Sequence, residues 1–242
     1  MARYSDAKTP ALVLDAVPAL VLPALARWTA EHSAAFTDEG SPFSCRFIEG
    51  DARVLLVTGA NASGKSLAFR LIAQLAGSND IEALTLSIRE RSGSGTFEMS
   101  RMRQSMIYGN EQTSSTGATS ARVVQSGFHN LTNRGPALLA LDEPELGLSD
   151  GYAEALGEYI GQSAAGMTES SCGVMVVTHS RRLAEGVVRG LNATPAMLSM
   201  EAEIDSVEAW IASRETRSVD ELLGLKALSH ERFLAINKLL GQ

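Results

Sequence analysis

The feature that most constrains this chain is the run Gly59-Ala-Asn61-Ala62-Ser63-Gly64-Lys65-Ser66, a full match to G-x-x-x-x-G-K-S. It follows residues 53–58 (RVLLVT), a leucine and valine run of the kind found in a strand buried on both faces of a parallel sheet. It opens residues 63–76, which read as a helix closed by Gly77. A strand–glycine loop–helix unit of this kind cradles phosphates. Its glycines let the backbone approach closely, and its amide groups and helix N-terminus supply a positive field. Lys65 is expected to reach the β- and γ-phosphates of a nucleotide, and Ser66 to ligate Mg²⁺. Gly59, Asn61, Ala62, Ser63 and Gly64 complete the binding loop.

The rest of the chain supplies partners for that strand. Residues 81–88 (IEALTLSI), 137–141 (ALLAL) and 174–178 (VMVVT) read as further strands, and 43–48 as a short one. Helices are expected at 24–35, with Pro23 in the first turn, and at 121–130, 152–162, 181–188 and 219–240. Residues 37–42 and 49–52 read as turns, and 109–120 as a polar loop. Residues 97–108 are ambiguous between helix and strand. Apolar strands alternating with helices give an α/β fold, with a mainly parallel sheet flanked by helices.

Two further strand ends carry chemistry. Residues 138–141 run into Asp142-Glu143-Pro144-Glu145, placing two carboxylates at the edge of the sheet where ligands gather. Asp142 is expected to hold the hydration shell of Mg²⁺, and Glu143 to polarise the water that attacks the γ-phosphate. Residues 174–177 end in Thr178-His179-Ser180, and His179 is expected to contact the γ-phosphate.

These three motifs, in this order, resemble the ABC-type ATPases within the P-loop NTPase class. The Asp-Glu-Pro and Thr-His-Ser runs are distinctive of that group, and the resemblance covers residues 53–180. It implies an ATPase that sandwiches two ATP molecules in a head-to-tail homodimer. A signature loop from one subunit then meets the γ-phosphate bound to the other. The matching residues are Ser115-Thr116-Gly117, with Ser115 and Gly117 as nucleotide ligands and Thr116 standing where a glycine is usual. The resemblance also implies a glutamine that senses Mg²⁺ and the attacking water. Gln104 is the natural candidate and Gln112 the alternative. Leu148-Ser149-Asp150 stands where the family has its D-loop.

The interval between Gln104 and Ser115 is too short for the helical subdomain of transporter subunits or the coiled coil of SMC-like proteins. The chain is therefore similar to compact soluble members of the RecF, OLD-nuclease, MutS and SMC branch. That implies a part in DNA repair, recombination or defence against phage. A nucleotide-dependent switch in a protein complex is the alternative, followed by the energy-coupling subunit of a transporter.

The net charge of −7 excludes a broadly basic nucleic-acid surface. Any DNA contact would be local, at Arg89, Arg91, Arg101 and Arg103 or at Arg181 and Arg182. A salt-bridged surface is the competing reading, because Glu90 and Glu98 are interleaved. Residues 11–26 hold Asp15, Pro18 and Pro23, which break any spanning helix, so no membrane insertion and a cytoplasmic location are expected. Cys45 and Cys172 have no metal-ligand spacing and read as reduced thiols. The division expected is an N-terminal extension at 1–36 packing on the core, an ATPase core at 37–200 and a C-terminal helical segment at 201–242. The leucine stripe of residues 219–240 is expected to pack on its own domain.

Overall fold

The computed structural model describes residues 12, 14, 20–87, 116–131, 135–167, 171–213 and 216–241, with side chains in the segment 116–131 from Thr119 onward. The elements in chain order are α1 (Leu22–His32), α2 (Ala34–Thr37), β1 (Arg46–Ile48), β2 (Asp51–Thr58), α3 (Lys65–Ser78), β3 (Glu82–Ser87) and α4 (Thr116–Leu131). They continue with β4 (Ala137–Asp142), α5 (Asp150–Ala165), β5 (Ser171–Val177), α6 (Arg181–Leu191), β6 (Pro195–Ser199), α7 (Val207–Ala212) and α8 (Val219–Leu240).

The six strands form one sheet in the order β1-β6-β2-β5-β4-β3. All neighbouring pairs are parallel except β1 with β6. The α/β architecture with a mainly parallel sheet is therefore as the sequence indicates. Strand alternation sends Leu55 and Val57 to one face and Val54 and Leu56 to the other. The first face packs against α1, α3 and the last turns of α8, the second against α4, α5, α6 and α7. Each Val or Leu so buried stabilises the fold by about 1.5–3 kcal/mol relative to exposure.

Several elements differ from expectation. β6 was not anticipated from the sequence. It is short and begins at a proline, which a strand tolerates at its first residue. α7 was also missed, and its Trp210 is fully buried. Gly77 lies inside α3, which continues to Ser78. α4 starts at Thr116, so Thr116 and Gly117 belong to a helix rather than to a polar loop. In α8 only Ile236 and Leu240 are buried, while Val219, Leu222, Leu223, Phe233 and Leu234 are at least half exposed. The leucine stripe thus does not pack along its length. Both thiols are free, and burial pushes that of Cys45 up to about 12. Among the described residues no helix is long and apolar enough to cross a membrane.

α5 and α6 meet backbone to backbone. A Cβ added at Gly157 would lie 2.0 Å from the Leu183 carbonyl oxygen, and one at Gly186 2.0 Å from that of Glu154. Gly161 and Gly190 are blocked in the same way, at 2.5 and 2.1 Å. This interface draws the two helices close beneath the site loops that precede them. Gly186→Ala is expected to cost about 3 kcal/mol or more through overpacking against a rigid helix backbone. Urea unfolding checks it; a loss below about 1 kcal/mol would mean that the helices separate easily.

Candidate functional site

The site begins where β2 ends. Gly59 has φ 141°, and a Cβ there would sit 2.7 Å from Met200 Cβ and 2.8 Å from Ser63 Oγ. Gly64 is left-handed (φ 103°) and forms the N-cap of α3, whose first turn carries no acidic residue. Ala62 is also left-handed, at φ 61°. Alternation of this kind turns successive amides toward one side and makes an anion-binding concavity. Lys65 is buried, and its Nζ donates to the carbonyls of Gly59 (2.7 Å) and Ala60 (2.8 Å).

β4 and β5 bring the other motifs to the same edge. Asp142, the last residue of β4, is buried opposite Val177 at the end of β5. Glu143 follows in the left-handed region (φ 49°), costing on the order of 1 kcal/mol for a non-glycine residue. Its amide donates to the Val177 carbonyl at 2.9 Å, which holds it there. The Glu143 side chain is buried, and its Oε1 lies 3.5 Å from Nδ1 of half-exposed His179. That contact with Glu143 holds the imidazole pKa above its ordinary range, against the effect of burial. The charges of Glu145 and Glu143 add to the rise, and Lys65 opposes it. Three motifs far apart in sequence therefore share one electrostatic field.

Glu145 is buried too, and desolvation pushes its pKa up. Thr178 Oγ1 donates to its Oε1 at 2.5 Å and accepts from the Ser180 amide at 2.9 Å. No role for Thr178 follows from its motif, and Glu145 reads only as part of an acidic run; their bond ties the loop after β4 to the loop after β5.

A cavity of about 200 Å³ lies over the glycine loop. Asn61, Ala62, Ser63, Gly64, Lys65 and Ser66 line it together with Glu143. Phe43, Arg70, Arg232 and Phe233 line it as well, and sequence reading missed all four. Nothing local marks Arg232, which is 170 positions from the carbonyl it binds. No protein-family model matches the chain, and no curated protein matches it.

What the site can do follows from its own side chains. The loop geometry, the buried lysine and the open helix N-terminus suit an anion such as a nucleotide phosphate. Among the described residues no group of three or more His, Cys, Asp or Glu side chains is arranged to hold a metal ion. Mg²⁺ asks less of the protein, since it keeps several waters and takes one or two side chains plus substrate phosphates. Ser66 on the cavity wall and the carboxylate of Asp142 fit that pattern.

Gln104, the alternative Gln112 and Ser115 lie outside the described residues. So do Arg89, Arg91, Arg101 and Arg103. Of the arginines weighed as DNA contacts against a salt-bridged surface, Arg181 donates to Trp210 O and Ser213 Oγ and lies over the Trp210 ring, while Arg182 pairs with Glu185 at 2.8 Å. Both are engaged in local contacts. Ser149, in the expected D-loop, is the N-cap residue of α5.

Two outcomes are expected. Replacing Thr178 with Val strands a buried carboxylate oxygen and the Ser180 amide, and should cost about 1–3 kcal/mol; Thr178→Ser should recover most of it in thermal unfolding. Because the folded pKa of His179 is raised, its protonated form adds stability that is complete below the ordinary imidazole pKa. That stability is lost as pH rises through the raised value. An NMR titration should place the His179 midpoint above the ordinary range, with a downward shift in Glu143→Gln. An unchanged midpoint in that variant would rule out Glu143 as the cause.

Proposed function

We propose that this chain is an ABC-type ATPase that binds ATP at the Gly59–Ser66 loop and hydrolyses it to ADP and phosphate. The observation that carries this reading is the meeting of Lys65, Ser66 and Glu143 on one cavity, with His179 held against Glu143.

Each residue then has a part. The backbone of residues 59–66 and Lys65 bind the β- and γ-phosphates. Ser66 and Asp142, with Gln104, would hold Mg²⁺, which supplies neutralisation of charge on the phosphates. Glu143 orients a water and accepts its proton as the water oxygen bonds to the γ-phosphorus and the bond to the leaving β-phosphate oxygen breaks. Strained backbone at Glu143 suits a residue whose position matters more than its comfort. His179, favoured in its cationic form by Glu143, contacts the γ-phosphate.

The same reading has two copies closing head to tail around ATP, with Ser115 and Gly117 of one meeting the γ-phosphate held by the other. The resulting open–closed cycle would act on DNA or on a protein partner, in repair, recombination or defence against phage.

The test is a comparison of three proteins. Wild type is expected to bind and turn over Mg-ATP. Lys65→Ala should lose binding, and Glu143→Gln should bind but turn over roughly 10²–10⁴-fold more slowly. Light scattering on Glu143→Gln should show a molar mass that doubles only with Mg-ATP. Nucleotide binding without doubling would remove the homodimer and the role of Ser115. Absence of ATP binding by the wild type would remove the ATPase reading itself.

A further inference from the structure

Arg232 occupies an unusual position for a residue of the C-terminal helix. Its Nη1 donates to the carbonyl of Ala62 at 2.7 Å, directly onto the glycine loop. Its guanidinium carbon lies 6.0 Å from the centroid of the Phe43 ring. Phe43 in turn packs against the loop, since a Cβ at Gly64 would come within 3.0 Å of it. The side chain is partly buried and lines the cavity with Lys65 and Glu143.

Its charge has no paired carboxylate among the described residues. Arg27, Arg53, Arg182, Arg189 and Arg217 each pair with a carboxylate. Arg232 has no carboxylate partner among the described residues, and its one hydrogen bond is to a neutral carbonyl. A guanidinium has five N–H donors in a planar fork, so one bond to Ala62 leaves most of them for another acceptor. Among the described residues the cavity wall carries three cations, Lys65, Arg70 and Arg232, and one carboxylate, that of Glu143. A partly desolvated cation without a counter-ion, on a cavity of that sign, is matched by an anionic ligand.

We propose that Arg232 is a phosphate-binding residue of this site, delivered by α8 of the same chain. The proposal rests on the nucleotide reading above and adds to it a ligand from outside the strand-end motifs. When the cavity takes up a nucleotide, the guanidinium forms a charge-assisted bond to its polyphosphate, and α8 becomes part of the binding site.

The experiment is calorimetric titration of the full chain with Mg-ADP and Mg-ATP, at two salt concentrations, for wild type, Arg232→Gln and Arg232→Lys. Gln keeps an N–H that can serve a carbonyl but removes the charge; Lys keeps the charge. The expected result is a 10- to 100-fold loss of affinity in Arg232→Gln, a smaller loss in Arg232→Lys and a weaker salt dependence in Gln than in wild type. Melting temperature without nucleotide should stay close to wild type in both.

Wild-type affinity in Arg232→Gln would overturn the proposal while leaving the nucleotide site intact. Equal losses in both variants, with a fall in melting temperature without nucleotide, would also overturn it, making Arg232 a brace for the loop. A wild-type protein that binds neither nucleotide would instead overturn the reading underneath.

Discussion

Hydrogen bonding continues past the ends of the central strands. Thr178 donates to Val57, Glu143 to Val177 and Met200 to Thr58, at 2.9 to 3.0 Å. The loops after β2, β5, β4 and β6 therefore leave the sheet in register rather than splaying. In a parallel sheet the strand ends of one polarity all lie along one edge, so side chains distant in sequence become neighbours there without any long loop to carry them. Lys65, Glu143 and His179 meet because β2, β5 and β4 are consecutive in the sheet. The strained φ of Glu143 is held by the same ladder, since its own amide is one of the bonds.

That edge also concentrates charge where water is scarce. Glu143 and Glu145 are both buried, and like charges so placed oppose one another. The chain resolves this unevenly. Burial disfavours the charged form of Glu145, whose oxygen accepts from Thr178, which lessens repulsion on Glu143. Glu143 instead faces the half-exposed imidazole of His179. Two carboxylates two positions apart are thus given different surroundings, one structural and one open to the cavity. Placing a pair of titratable groups in contrasting environments is a general way to divide roles between them.

Much of this was legible because it is local. The glycine loop, the acidic strand end and the strand-ending histidine each announce themselves within a few residues, and continuous apolar runs gave β2, β4 and β5 within three residues at either end. β6 escaped because five residues starting at Pro195 carry no helical or alternating period. The start of α4 was missed because the Thr, Ser and Gly of its first turn read as loop formers; residues that compete for the backbone locally also occupy helix ends. The pairing of Thr178 with Glu145 and of Arg232 with Ala62 could not be read at all, since each is made by the fold and leaves no spacing in the sequence.

α8 shows how such an unmarked contact gains weight. The helix is 22 residues long, about 33 Å at the usual rise. A capping box at Ser218 and Glu221 starts it well, but a cap stabilises the helix and not its attachment. Only Ile236 and Leu240 are buried, contributing about 1.5–3 kcal/mol each. Ordering the segment against the body costs conformational entropy on a comparable scale. Leu239 packs partly against the same core, and the bond from Arg232 to the glycine loop adds one polar contact to these apolar ones. Arg232 therefore links α8 to the glycine loop across 170 positions of sequence, a contact that neither the capping box nor the leucine spacing of the helix foretells.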